Sequence, residues 1–314
     1  MNAMEWLLES DPAVRWQVLR DLGDASPAEI AAERARVATQ GWGAQLLARR
    51  DADGQWAGGA CFPANFRADF SAGQPWTSTL PTLTLLRDFG IDPDAPAMRE
   101  TIALVAANCR WEHAGQRFFA GEVEPCINGR TVAIGGYFGV GVDAIVARLL
   151  AEQLDDGGWN CEAENGSLRS SFASTICVLE GLLEHQRVTG GSPESVSARH
   201  RAEEYLLERH LFRRRSTGRV VDRSWLEFSF PTWWHYDVLR ALDYFRAVGG
   251  PPDPRLAEAV GVLRNRRQPD GRWPRENIHP GAVHLEWEDG DGRPGRWNTL
   301  RALRVLRWID GRLN

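Results

Sequence analysis

The sequence has no run of eighteen apolar residues of the kind a membrane-spanning helix needs. Met1–Trp16 carries acids where a leader peptide would need a basic start and an apolar stretch, so no secretory signal is expected and the chain reads as cytoplasmic. Cysteine is sparse. Five cysteines, an odd number in 314 residues, form no disulfide framework and are expected to be reduced thiols, open to packing, metal or chemistry. Positive charge is not in excess either: the formal net charge of −5 gives no overall electrostatic case for nucleic acid or an anionic membrane. What is abundant is tryptophan, fourteen residues against three methionines. The hydrophobic fraction of 43% is ample for a folded core. At this length, however, one core would be unusually large unless the architecture grows by stacking repeats.

Repeats are present. Asp-Gly-x-Trp occurs at Asp53–Trp56, Asp156–Trp159 and Asp270–Trp273, each time after a helical segment bearing arginine or glutamine. Weaker copies fall around Gly115 and Gly218. After each glycine comes a segment with helical apolar spacing: Thr79–Phe89, Thr131–Leu150, Ser171–His185, Thr232–Ala247 and Trp297–Ile309. Several of these are apolar around much of their circumference, as buried inner helices would be, whereas the helices before the glycines, such as Ala257–Arg267, keep a polar face. Pro12–Leu22 and Ala28–Leu47 supply further helices. Aspartate and glycine end one helix, with glycine in the left-handed conformation of a C-cap. The tryptophan two residues on is placed to pack between neighbouring repeats. Chain class is therefore all-α.

The segments ending DGQW, DGGW and DGRW resemble the QW repeats of squalene cyclases and the related repeats of protein prenyltransferase β subunits, from about Trp42 to the C-terminus. The chain also looks like the bacterial proteins labelled squalene-cyclase-like by that repeat. The resemblance implies one α/α toroid over residues 1–314, of five to six helix pairs, with 1–41 as an N-terminal helical cap. It also implies that the loops between each Gly-x-Trp and its inner helix gather at one mouth of a central cavity. Squalene cyclases protonate their substrate from an Asp-x-Asp-Asp motif, which is absent here.

Those loops hold most of the chemistry-bearing residues: Cys61; Glu122, Glu124 and Cys126; Cys161, Glu162 and Glu164; His235 and Asp237; Glu276, His279, His284, Glu286 and Glu288. Thiols and imidazoles converging in a reduced protein suit zinc, which favours sulfur and nitrogen in tetrahedral sites. Glu124-Pro125-Cys126 is similar to the Asp-x-Cys zinc motif of prenyltransferase β subunits, with glutamate replacing aspartate, and His235 stands where that family's histidine ligand does. Lanthipeptide cyclases, a second toroid family, use a Cys-Cys-His site. Cys126, Cys161 and either His235 or His284 would satisfy that pattern, and ordinary packing remains the alternative for both cysteines. Cys109 and Cys177, on helices, are expected to be packing residues. His113, His185, His200 and His210 are expected to face solvent.

For the rest of the site, Asp237 or Glu276 is the candidate for proton transfer. Trp225, Trp234, Trp287 and Trp297 are candidates to line an apolar cavity. Arg169 and Arg296, at or near inner-helix starts, are candidates to hold an anion. Arg213–Arg215 reads as a solvated helix end. The expectation is a zinc-assisted enzyme of the prenyltransferase and terpenoid-cyclase kind acting on a hydrophobic or isoprenoid-type small molecule. The alternative is a non-catalytic toroid that binds a lipid-like or peptide ligand.

Overall fold

The computed structural model describes residues 2–286 and 288–311. Its α-helices run in the order α1 (Ala3–Leu8), α2 (Pro12–Asp21), α3 (Pro27–Ala35), α4 (Gly41–Leu47), α5 (Thr79–Asp88), α6 (Pro96–Asn108), α7 (Pro125–Tyr137), α8 (Asp143–Ala151), α9 (Phe172–Thr189), α10 (Pro193–Leu207), α11 (Val238–Val248), α12 (Ala257–Asn265) and α13 (Arg296–Asp310). Among the described residues, extended pairing is limited to four isolated bridges, so the protein is all-α. No described helix is long and apolar enough to cross a membrane.

Contacts divide the chain into two compact units. One comprises Met1–Ala44, Leu206–His279 and Leu285–Asn314; the other comprises Gln45–Tyr205 and Pro280–His284. In the second unit, α5 buries every residue from Thr79 to Leu86, and α7 buries every residue from Asn128 to Gly136. By contrast α6 buries only Met98, Thr101, Ile102 and Val105, and α8 only Ile145, Val146 and Leu149. The alternation of all-round burial after each glycine turn with single-face burial before it is the pattern that the apolar spacing predicts.

The tryptophan of each strong repeat does more than pack. Trp56, Trp159 and Trp273 are fully buried, and each donates its indole N–H to a carbonyl ten residues upstream: Leu46 at 2.8 Å, Leu149 at 2.7 Å and Leu263 at 2.7 Å. Those carbonyls lie in the last turns of α4, α8 and α12, where helices lack internal donors. The backbone N–H of the same tryptophan donates to a threonine hydroxyl on the following helix, Thr79, Thr175 or Thr299, at 3.3, 3.1 and 3.0 Å. Each tryptophan thus bolts the end of one helix to the start of the next. The preceding glycines Gly54, Gly157 and Gly271 have the positive φ expected of them, 91°, 97° and 84°, but they are not helix C-caps. Helix α4 ends at Leu47, Glu152 caps α8 and Arg266 caps α12, and each glycine closes a separate turn further on, donating to Asp51 O, Leu154 O or Gln268 O. In the weaker copies Trp111 turns back on its own hairpin, donating to Phe118 O, and Tyr236 Oη donates to Leu211 O instead.

Helix boundaries differ from expectation in places that matter for the site. The segment expected at Thr131–Leu150 is two helices: α7 starts earlier, at Pro125, and the chain breaks at Gly139–Gly141 before α8. Proline at the first helical position explains the early start. The segment expected at Thr232–Ala247 becomes helical only at Val238, because Asp237 caps it with its side chain on Arg240 N. The span expected at Ala28–Leu47 is broken between α3 and α4. Cys109 follows α6 as its C-terminal cap rather than lying inside a helix, and is buried as expected. His185 is buried rather than solvent-facing, with Nε2 2.9 Å from Asp143 Oδ1. An imidazole on the most buried helix face needed such a partner.

Candidate metal centre

The second unit brings Glu124, Cys126 and Cys161 together, with their ligand atoms all within 4.8 Å of one another. Two glycines make this possible. A Cβ on Gly129 of α7 would lie 2.5 Å from Cys177 O of α9, and one on Gly181 of α9 would lie 2.3 Å from Gly129 O. The two backbones therefore touch, with no side chain between them. Cys126 stands one turn before this crossing. Cys161 reaches it from a single 3-10 turn, Cys161–Ala163, that precedes α9.

The loop into α7 is pinned before it reaches the site. Asn128, fully buried, donates to Glu122 O at 2.7 Å and accepts from Glu122 N at 2.8 Å. Glu122 Oε2 in turn accepts from Glu124 N at 2.8 Å, and Arg148 donates to the carbonyls of Glu122 and Val123. Glu124 is thus set at the helix entrance, with Oε2 3.5 Å from Cys126 Sγ. Cys126 Sγ and Cys161 Sγ are 2.9 Å apart. Ser174, in the first turn of α9, holds Cys161 from two sides: its Oγ accepts from Cys161 N at 3.2 Å and lies 3.3 Å from Cys161 Sγ.

Charge on the pair is unequally shared. The Cys126 thiol and then the Ser174 hydroxyl stabilise a thiolate at Cys161, which lowers its pKa against the opposing effect of burial. Cys126 is held well above the ordinary thiol range, because its proton bridges to Cys161 and because it is buried. Cys61 is pushed up by burial and then by Glu112, Glu124 and Glu122. Arg130, one turn beyond Cys126 on α7 and buried, is the cation that opposes this negative charge.

No protein-family model matches the chain, and no curated protein does. Among solved structures, a protein from Actinoplanes overlays on 94% of this chain and 88% of its own, at 15% identity and a TM-score of 0.47. The centre is therefore read from its own chemistry.

Among the described residues no histidine joins the three-residue group. His284 is engaged elsewhere in the second unit: its Nε2 is 2.9 Å from Thr82 Oγ1 of α5. Its segment is tied to Trp76, which donates to Ala282 O through its backbone and to Pro280 O through its indole. Burial, then Arg49, lowers the pKa of His284 to about 4, so the ring is neutral at physiological pH. His235 has both faces covered, by Trp234 at 3.7 Å and by His279 at 3.5 Å.

The acids proposed for proton transfer lie in the first unit and have other partners. Asp237, 1% exposed, uses Oδ1 to cap α11 on Arg240 N at 2.7 Å and accepts on Oδ2 from Ser229 N and Oγ. Burial raises its pKa, against Arg301 and the backbone donors. Glu276 pairs with Arg266 at 2.6 Å, and its other oxygen is buried without a hydrogen bond. Burial raises its pKa also.

The substrate-lining candidates divide. Trp297 is a core residue, 2% exposed, with its ring 4.4 Å from Phe230. Trp225 meets Tyr236 edge-on at 4.9 Å. Trp234 is 43% exposed. Trp287 lies outside the described residues. Arg169 is exposed. Arg296 lines a cleft of ≈ 450 Å³ in the first unit with Trp6, Glu286, Glu288, Asp289 and Pro294, and its guanidinium stacks on Trp6 at 4.4 Å. Glu288 Oε1 there caps α13 on Trp297 N at 3.0 Å, while Oε2 is buried without a hydrogen bond. Burial pushes the Glu288 carboxyl up to about 7, despite that backbone donor and Arg275. The Arg213–Arg215 run, expected at a solvated helix end, lies beyond α10 in a turn bridged between Arg213 and Val220, with Arg213 on Glu258 and Arg215 on Glu208.

Ser174 and the glycine pair escaped the sequence reading. Ser171 and Ser174 stand three residues apart at a helix start, which is a visible capping signal. Gly129 and Gly181 offered only the weaker hint of glycine inside an apolar helix.

Proposed function

We propose that the protein is a zinc-dependent enzyme of the prenyltransferase and terpenoid-cyclase kind, acting on a hydrophobic or isoprenoid-type small molecule. The observation that carries the proposal is the convergence of Glu124, Cys126 and Cys161 from two separate segments. Two thiols and a carboxylate suit zinc far better than magnesium or calcium, which take oxygen ligands. Three protein ligands leave a fourth position for substrate, which is the pattern of a catalytic rather than a structural site. Zinc held there would activate a nucleophile or polarise the reacting group. Glu124 is fixed by the Asn128–Glu122 clasp, and Ser174 orients the Cys161 sulfur. Arg130 supplies positive charge near the anionic ligands. The site is half-buried, which weakens competition from water without closing it to substrate.

Metal analysis of the purified protein tests this first. Near-stoichiometric zinc is expected, and its loss in a Cys126→Ala, Cys161→Ala double variant. Transfer or cyclisation of farnesyl or geranylgeranyl diphosphate, dependent on that zinc, tests the enzyme class. A reduced wild-type protein that binds no zinc at micromolar concentration overturns the proposal.

A further inference from the structure

We infer that Cys126 and Cys161 also form a reversible disulfide, and that the protein exchanges its metal for that bond when a small-molecule disulfide is the oxidant. The inference deepens the zinc reading, since it uses the same two sulfurs.

The geometry lies between two covalent states. Sulfurs sharing a tetrahedral zinc at about 2.3 Å each would stand about 3.8 Å apart, and a disulfide needs about 2.05 Å. The observed 2.9 Å is within about 0.9 Å of either. The chain permits the movement. Cys126 sits in the first turn of a buried helix, but Cys161 begins one 3-10 turn in a loop with exposed residues at Glu162, Glu164–Gly166 and Leu168. Access also distinguishes the pair, since both thiols are half-buried whereas Cys109 and Cys177 are 0% exposed. Cys61 is half-buried too, but among the described residues no second sulfur pairs with it as Cys126 does with Cys161, so glutathione would meet it as a single thiol and leave a mixed disulfide.

The exchange balances with glutathione disulfide. The Cys161 sulfur, held by Ser174, attacks one sulfur of the oxidant and expels one glutathione thiolate. The Cys126 sulfur then attacks Cys161 of the mixed disulfide and expels the second. The protein pair loses two electrons and the oxidant gains them; zinc-bound sulfurs carry no protons, so the two expelled glutathione thiolates take theirs from solvent, and the dication is released. Both sulfurs are then neutral and two-coordinate, which leaves Glu124 alone to hold the metal.

The full-length protein, reduced and assayed for zinc, would be titrated with glutathione disulfide, then alkylated and digested with trypsin. Arg130 and Arg148 put the two cysteines on different peptides. The expected result is a cross-linked Cys126–Cys161 pair as the main oxidised species, with zinc released in step and rebound after dithiothreitol. A Cys161→Ser variant should lose the cross-link and carry glutathione on Cys126. Glutathione adducts without the cross-link, or thiols that stay reduced after a chelator has removed zinc, overturn the inference and leave the zinc reading standing. A cross-link in protein that never held zinc upholds the dithiol and removes the zinc reading.

Discussion

Replacing Gly129 with alanine should be the most informative single change in this fold. In an exposed helix the substitution would stabilise by about 0.5–1 kcal/mol, because alanine loses less backbone entropy. At Gly129 the new Cβ would lie 2.5 Å from Cys177 O, 2.6 Å from Cys177 C and 2.7 Å from Val178 Cα. These are backbone atoms of α9 that no rotamer change can move aside. Since carbon contacts are optimal at about 3.5–4.0 Å, the helices must part by about 1 Å. Overpacking of this kind costs about 1–3 kcal/mol, and the rigidity of the contact argues for the upper end. The net expectation is a loss of about 1–2 kcal/mol.

Gly261, inside α12, supplies the control: nothing lies within 4 Å of its would-be Cβ, so Gly261→Ala should gain about 0.5–1 kcal/mol. Urea unfolding followed by circular dichroism compares the two. Zinc affinity gives a second readout. Cys126 is one turn from the crossing, and a ligand displaced by about 1 Å lies well outside the ±0.2 Å tolerance of a metal bond. Affinity should fall at least about tenfold in Gly129→Ala and stay unchanged in Gly261→Ala. Equal stability of the two variants would refute the close-crossing argument.

Trp159→Phe removes the donor to the buried Leu149 carbonyl while keeping most of the ring, and should cost about 1–3 kcal/mol by thermal unfolding. A change within error of zero would show that the indole N–H is dispensable. Gly157→Val should destabilise more strongly still, because φ is 97° and the Cβ would lie 2.7 Å from Arg201 O. Glu288 predicts a pH effect. Its folded-state pKa of about 7 lies above the ordinary 4.5, so the native state holds the proton longer than the unfolded chain. Stability from this group should therefore fall as pH rises from about 4.5 to 7, by up to about 3 kcal/mol. Glu288→Gln should flatten that fall, and an unchanged slope would place Glu288 in solvent.

Much of this was legible in advance because it is local. Asp-Gly-x-Trp reports a glycine of positive φ and a large ring to bury, and both were present at all three strong copies, whereas the helix end expected at the glycine comes five or more residues earlier. The threonines that receive the tryptophan backbone were not legible, since they lie 16 to 26 residues away and look like ordinary buried-helix residues. The convergence of Cys126 and Cys161 with Glu124 could be suggested from loop positions, yet the means of convergence could not. A glycine inside a helix looks like a weakness until the helix that needs the space is known. The histidines illustrate the opposite problem. A histidine among aromatic and acidic residues carries a functional signal, but the same surroundings also satisfy a buried ring. His284 on Thr82 and His235 between two rings are satisfied in that way.

The ligand set bears on what the proposed zinc could do. Two thiolates and one carboxylate bring three negative charges to a dication, whereas two thiolates and a histidine bring two. Glutamate in place of the expected histidine therefore leaves the centre with a net negative charge, which weakens its pull on electrons of a fourth ligand. One feature of the chain counters this. Arg130 stands buried one turn beyond Cys126, close enough to act on the Cys61 thiol beside Glu124 and Glu122. An anionic centre beside a buried guanidinium is suited to activating a nucleophile that can shed its proton while the adjacent cation attracts an anionic leaving group. It is poorly suited to polarising a neutral carbonyl. Among the chemistries open to a three-ligand zinc site, the charge balance thus favours transfer from a substrate with an anionic leaving group over hydrolysis of an uncharged one.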